Sequence, residues 1–442
     1  MMGYVAWVSR WRIIERSSLG LSQLRIVGDP SPEAWDRVRR YASWMHRLLV
    51  DTSGGSVLGE DTLLKLRLNS PVGGWFPAVQ SLSWSLTQFN PPYADLFLSP
   101  NLEKISISSS WSWLCFENPH SLLPAIASTI STLPTHSIQS LHVDMPHSDV
   151  PWAYFKDSLS SLILCCGPSL TEFTTTIPLS DVAVNHLIHL PHLRTWTIEG
   201  PPPDYSTSPL PLVFPSLTEL TLGEGAANGW LSILKHLEHG ALATESTMPL
   251  SKTKESLKSL DVERHPDFVF DASFASVIQM FRNLVRVCVT VPCSDEVDEG
   301  QCISKLDDNN VAELVTALPL LEVLLLGYPC FENTCATTVV SLLQISTHCA
   351  KLEKLGIHFN TTNITDDLKS VSEDPQFQGL RSLPKCSTLR CLDVYDIPLN
   401  LDETGCEAVV NGMLNIFPSL ECFEGTGRFG IGSILQSPGV GD

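Results

Sequence analysis

The chain has 442 residues, 43% of them hydrophobic and 17% charged, which is ample for a large core. Its formal net charge of −20, from 28 basic and 48 acidic residues, repels phosphate backbones and anionic lipid, and so argues against nucleic acid and membrane surfaces as partners. Thirteen cysteines without framework spacing, and an opening apolar stretch (Gly3 to Val8) too short for a secretory leader and followed by Arg10 and Arg12, point to reduced thiols in the cytosol or nucleus.

Charge sets the first fifty residues apart. Eight Arg against four Asp or Glu give them +4, leaving −24 for the remainder. Ser31 is placed as an N-cap and Pro32 as the first helical residue. Trp35, Val38, Tyr41, Met45 and Leu48 then recur every three or four positions, with Arg37, Arg39 and Arg40 turned outward. The expectation is a helix over 31–50 inside a basic N-terminal segment, 1–50.

One phrase, Leu-x-x-Leu-x-Leu in loose form, recurs fourteen times. It begins as Leu21/Leu24/Ile26, Leu63/Leu66/Leu68, Val79/Leu82/Trp84, Leu102/Ile105/Ile107 and Ile138/Leu141/Val143. It continues as Leu170/Phe173/Thr175, Leu193/Trp196/Ile198, Leu217/Leu220/Leu222, Leu257/Leu260/Val262 and Leu284/Val287/Val289. It ends with Leu321/Leu324/Leu326, Leu352/Leu355/Ile357, Leu389/Leu392/Val394 and Leu420/Phe423/Gly425. Each phrase predicts a strand whose alternate side chains enter a core, and strands this short bury that face only by stacking on neighbours.

Between the phrases the chain reads as helix at 122–133, 152–166, 179–190, 228–239, 273–282, 309–318, 335–349 and 403–417. In seven phrases a Pro (77, 100, 168, 191, 215, 319 or 418) stands two residues before the first apolar position, where it ends the helix and delivers the chain extended. Spacings from 16 to 42 residues exceed in places the roughly 20–29 of regular leucine-rich repeats, so several coils carry insertions. Residues 200–215 read as a proline-rich loop, 294–308 as an acidic loop and 431–442 as a disordered tail, leaving 51–430 for the solenoid. The asparagine usual after the third apolar residue is mostly missing, Asn360 being an exception, which predicts an irregular horseshoe.

No catalytic constellation emerges. His186, His189 and His192 have ligand-like spacing, but Pro191 interrupts the helix, and they read as helix-end or surface residues. Cys288/Cys293, Cys330/Cys335 and Cys386/Cys391 are spaced permissively for zinc, yet Cys288 and Cys391 fall inside strand phrases and read as core thiols. Gly425-x-Gly427-x-x-Gly430 opens no helix of a βαβ unit. Asp307-Asp308 and Asp366-Asp367 read as helix-start or loop carboxylates. Trp75, Phe76, Trp84, Trp111 and Trp113 read as inter-repeat packing, with an exposed binding patch as the alternative. Neither enzyme chemistry nor a cofactor is expected.

The stretches FPAVQSLSW (76–84), FLSPNLEKISI (97–107), CGPSLTEF (166–173), the long run from His189 to Glu238, CFENTCATTVVSLL (330–343), HFNTTNITDDL (358–368) and NGMLNIFPSLE (411–421) resemble a large family of fungal F-box proteins. In that family a leucine-rich solenoid follows an N-terminal F-box. The resemblance runs from about residue 19 to about 425. It implies a substrate-recognition subunit of a cullin–RING ubiquitin ligase, with docking to the ligase adaptor if an F-box remnant works. Here the chain before Leu21 is too short for an F-box, so the expectation is an F-box truncated or absent. A stand-alone scaffold without a ligase link, or a non-functional gene fragment, are the other readings.

The expected fold is an α/β leucine-rich-repeat solenoid, parallel strands on the concave face and helices outside. Its partner is expected to be a protein, and the acidic balance favours a basic one. The residues expected to meet it lie between the buried strand positions (Arg67, His142, Thr197, Thr221, Asp261 and Asp393) or just beyond the third (Glu199, Glu263, His358 and Tyr395).

Overall fold

The computed structural model describes residues 11–16, 22–26, 30–50, 56–58, 60–71, 74–86, 91–109, 138–145, 153–199, 214–223, 231, 233–235, 237, 256–263, 271–290, 306–327, 336–360, 364–373, 375, 385–394 and 403–425. They fall into two units, 1–203 and 204–442. Residues 200–213 of the loop read at 200–215, residues 294–305 of that read at 294–308, the helix read at 122–133 and the tail at 431–442 lie outside the described residues.

In the first unit β1 (Trp11–Arg16) pairs antiparallel with β2 (Ser22–Ile26), and β2 pairs parallel with β4 (Ser56–Leu58). A separate parallel ladder runs in chain order through β3 (Arg47–Val50), β5 (Ser81–Leu86), β6 (Lys104–Ser109), β7 (Ser140–Asp144), β8 (Glu172–Thr175) and β9 (Thr195–Ile198). The second unit continues the pattern with β10 (Glu219–Leu222), β11 (Ser259–Glu263), β12 (Arg286–Thr290), β13 (Val323–Leu326), β14 (Lys354–Ile357), β15 (Cys391–Val394) and β16 (Cys422–Gly425). Each unit is therefore the expected α/β leucine-rich-repeat architecture. Twelve of the fourteen phrases supply ladder strands, from Val79 to Gly425.

Two phrases do otherwise. Leu24 and Ile26 lie on β2, in the three-stranded sheet with β1 and β4. Leu63, Leu66 and Leu68 lie on a helix, Glu60–Leu68, whose geometry accepts a three-residue apolar spacing as readily as a strand does. Their place at the head of the ladder is taken by β3. The helix expected over 31–50 spans only Pro32–Ala42, capped by Ser31, whose side chain accepts from the Ala34 N–H. Met45 and Leu48 continue the helical spacing from Trp35, but with Val50 they also spell the repeat phrase, and β3 forms. The basic segment 1–50 thus contributes a solenoid strand.

The register aligns the apolar positions of successive coils. Leu82, Ile105, Leu141, Phe173 and Trp196 are consecutive partners in the first unit. Leu220, Leu260, Val287, Leu324, Leu355 and Leu392 are so in the second. Every one of them is at most 2% exposed. Helices cover this row. Ala153–Cys165 packs on Asp181–Ile188, and Ala272–Ile278 on Asp308–Ala317; the latter packs on Val339–His348, which also meets Ile364–Glu373 and Glu403–Ile416. The helix Ile364–Glu373 lies where no helix was expected.

Proline enters the coil as the second residue of a β-turn. The N–H of Val79, Leu102, Leu170, Leu321 and Leu420 donates to the carbonyl three residues earlier, across Pro77, Pro100, Pro168, Pro319 and Pro418. Leu284 and Leu352 make the same bond without a proline. The fixed φ of proline selects a turn that the coil builds anyway.

The paired carboxylates start helices. Asp307 caps Asp308–Ala317 in a capping box with Asn310. The Asp308 carboxylate accepts the Thr338 N–H and hydroxyl, both at 2.7 Å, and the Ser341 hydroxyl at 2.5 Å, joining the N-termini of two successive helices. Asp366 and Asp367 sit in the first turn of Ile364–Glu373, and burial, with Asp366 and Asp308 nearby, raises the Asp367 carboxyl above its usual value. Burial also works to raise Asp271, the cap of Ala272–Ile278, but hydrogen bonds from the Ser273 hydroxyl and from the Phe274 and Ser273 N–H groups overcome it and hold that carboxyl low.

Two predictions follow from packing and capping. Trp196→Ala destabilises by about 3–5 kcal/mol, whereas Thr197→Ala, one residue along, stays within about 0.5 kcal/mol in a urea titration; equal losses contradict the register. Asp271→Ala costs about 1 kcal/mol at neutral pH. Because the folded carboxyl is depressed, its contribution is full above about pH 4 and is lost as pH falls through the folded value, so variant and wild type converge in acid.

Candidate protein-recognition face

The residues on either side of each buried strand position project from the opposite side of the sheet, because side chains alternate. In the first unit one such row reads Ser83, Ser106, His142, Thr174 and Thr197 in direct register. Beside it lie Lys104, Ser140, Glu172 and Thr195. This face is short, hydroxyl-rich and nearly neutral. His142 and Thr197 sit in it half-buried. Glu199 follows β9, its N–H donating to the Thr175 carbonyl at 2.8 Å.

In the second unit the matching row reads Thr221, Asp261, Cys288, Leu325, Gly356 and Asp393. The row beside it holds Glu219, Ser259, Arg286, Val323, Lys354 and Cys391. Sequence reasoning took only residues after the middle apolar position and so missed Glu219, Arg286 and Lys354. The same alternation rule identifies them, since the residue before a buried strand position points the same way as the one after it. The Arg286 guanidinium reaches from β12 to the Asp261 carboxylate at 3.0 Å. The acid at that point is therefore compensated within the face. Its centre, Cys288 and Leu325, is apolar and under 10% exposed.

Two expected residues depart from this pattern. Arg67 lies on the helix Glu60–Leu68, not on a strand; its guanidinium pairs with Asp95 at 3.2 Å and stands 5.7 Å from the Tyr93 ring centre. His358 follows β14 and is 5% exposed, its carbonyl accepting from the Thr337 hydroxyl at 2.7 Å. It packs beside Gly327, whose φ of +108° needs a glycine and whose added Cβ would meet the His358 Cβ at 3.5 Å. Glu263 ends β11 opposite Thr290, while Tyr395 lies outside the described residues.

The other candidates are placed as follows. His186 contacts the Cys166 carbonyl through Nε2 at 3.1 Å, and His189, the cap of its helix, contacts the Asn185 carbonyl through Nδ1 at 2.6 Å, so the two rings serve different carbonyls. Cys386 is buried and its thiol donates to the Leu352 carbonyl. Burial, with Cys386 nearby, pushes the Cys349 thiol up to about 12, and burial, with Cys165, does the same for Cys166. Among the described residues no group of three or more His, Cys, Asp or Glu is disposed to hold a metal ion. Trp75 and Trp84 are core residues: Trp75 lies 5.3 Å from Trp35 and donates to the Leu66 carbonyl, and Trp84 meets Phe97 edge-on at 5.5 Å. Trp111 and Trp113 lie outside the described residues. Among the described residues no helix is long and apolar enough to cross a membrane.

No protein-family model matches the chain, and no curated protein matches it. Among solved structures it is similar to the leucine-rich repeat-containing protein LegL7 of Legionella pneumophila, at 12% identity and a TM-score of 0.32, over 86% of this chain and 91% of that one. It is also similar to a chain of the yeast Rad7–Elc1 complex, at 16% identity and a TM-score of 0.36, over 84% of this chain and 92% of that one. The fold assignment rests on the strand register rather than on these likenesses.

Arg286→Ala shifts the unfolding midpoint little, since a part-exposed ion pair contributes about 0.2–1 kcal/mol. A loss above about 2 kcal/mol in chemical denaturation would make the pair a structural element instead.

Proposed function

We propose that the outward strand row recognises a protein, and that the chain acts as a substrate-recognition subunit of F-box type for a cullin–RING ubiquitin ligase rather than as an enzyme. The observation that carries the first part is the division of the ladder strands from β5 to β15. One row is buried and repetitive, while the other changes chemistry from coil to coil, from hydroxyls around His142 to the mixed charges of Asp261, Arg286, Lys354 and Asp393. A surface uniform in backbone and varied in side chains suits recognition of a partner's contour better than chemistry at one point. The net charge of −20 supports a basic partner, with association slowed by salt. The ligase assignment rests on the resemblance to fungal F-box solenoids.

Affinity purification of the tagged protein from its own cells, followed by mass spectrometry, tests both parts. Recovery of a reproducible protein partner with ligase adaptor and cullin is the expected result. A reproducible partner without them overturns the ligase assignment and leaves a stand-alone recognition solenoid. Background alone overturns protein recognition. With the partner in hand, Asp393→Lys weakens binding by about tenfold, or 1.4 kcal/mol, while a similar reversal at Asp36, on the helix Pro32–Ala42, leaves it unchanged.

A further inference from the structure

We propose that the outer edge of β3 binds an extended segment of a partner protein as one more parallel strand, with an acidic side chain opposite Arg47 and apolar ones opposite Leu48 and Val50. β3 ends its ladder: β5 pairs with one side of it, and among the described residues no strand pairs with the other. The Ser81 N–H reaches back from β5 to the His46 carbonyl at 3.1 Å. Arg47 and Leu49 hold the places in their coil that Ser81 and Ser83 hold in the next. Alternate residues of a parallel strand turn their N–H and C=O to opposite neighbours, so those of Arg47 and Leu49 face away from β5. Among the described residues no hydrogen bond occupies that side at either residue. Unpaired donors and acceptors in line are a template for another strand.

Side chains at this edge indicate what the segment carries. Leu48 and Val50 begin the inward apolar row, yet they are half-buried, whereas their partners Leu82 and Trp84 are each 1% exposed. Apolar residues at the same two places of an incoming strand would cover them. On the opposite side of the sheet Leu49 is 67% exposed. Arg47 is exposed too, and among the described residues it meets no acid at ion-pair distance. An acidic residue opposite it supplies the complementary charge. The net charge of −20 works against a second copy of the chain as the occupant. The bonds at this edge are main-chain bonds at the end of the ladder, so they and recognition by the outward row can fail independently.

The test uses the full chain and a fluorescein-labelled peptide copying residues 215–224, PSLTELTLGE, in which Glu219, Leu220, Thr221 and Leu222 match Arg47, Leu48, Leu49 and Val50. Fluorescence anisotropy shows saturable binding. Leu49→Pro weakens it by about tenfold or more, because proline removes an edge donor and leaves the β5 ladder in place. Arg47→Glu, at an exposed side chain that folding does not need, weakens it comparably, and a peptide carrying Glu219→Lys binds that variant again. Amide exchange locates the contact: the Arg47 and Leu49 amides exchange rapidly in the free chain and slowly with peptide. No saturable binding up to about 1 mM peptide, binding that Arg47→Glu leaves unchanged, or protection at other residues instead overturns the proposal. A dimer of the free chain in sedimentation that Leu49→Pro dissolves overturns it too, and assigns the edge to a second copy.

Discussion

In both units a carbonyl at the residue two before the middle apolar position recurrently accepts two consecutive N–H groups from the next coil. The Gln80 carbonyl takes Glu103 and Lys104, that of Glu103 takes Gln139 and Ser140, and that of Thr171 takes Arg194 and Thr195. In the second unit Lys258 takes Val285 and Arg286, Glu322 takes Glu353 and Lys354, and Arg390 takes Glu421 and Cys422. Since side chains alternate along a strand, a slip of one residue would turn every buried leucine outward. The doubled acceptor sits at the strand's entrance, where the second of its two bonds is the first bond of the ladder, and fixes the phase there. It also satisfies backbone donors that the incoming turn would otherwise leave without partners. The apolar row and the outward row both depend on that phase.

Division of labour follows from it. The inward positions are filled by Leu, Ile, Val, Phe and Trp, because helices close over them and a void there is costly. Neighbouring coils are held to one another by polar bonds that leave the strand face alone: Asp308 ties two helix N-termini, and the Ser346 hydroxyl donates to the Ile416 carbonyl at 2.7 Å inside the helical layer. The outward residues differ in chemistry from coil to coil, and two of them, Arg286 and Asp261, pair with each other.

The repeat was legible in the sequence because its signal is redundant: the three apolar positions are backed by a preceding proline in seven phrases and by a helical pattern before eight. A phrase standing without the other signals forms a ladder strand at Leu389/Leu392/Val394 but not elsewhere. Leu63, Leu66 and Leu68 match the phrase without a proline and fold as a helix. Met45, Leu48 and Val50 match it too, but Met45 and Leu48 also extend the helical spacing from Trp35, and the longer periodicity masked the strand. The helix Ile364–Glu373 went unread although Asp366 and Asp367 marked its first turn. At the candidate face, parity placed His142, Thr197, Thr221, Asp261 and Asp393 on outward strand positions, whereas Arg67 inherited the error of its phrase. The burial of His358 was illegible because it comes from Gly327 and Thr337, in segments distant along the chain.

Amide hydrogen exchange measures the doubled acceptor residue by residue. Slow exchange is predicted at both members of each donor pair, Glu322 with Val323 and Glu353 with Lys354 among them, although Glu322, Glu353 and Lys354 carry exposed side chains. Exchange of these amides at the rate of an unstructured chain, with Leu324 and Leu355 protected beside them, would contradict the phase-setting role given to that carbonyl.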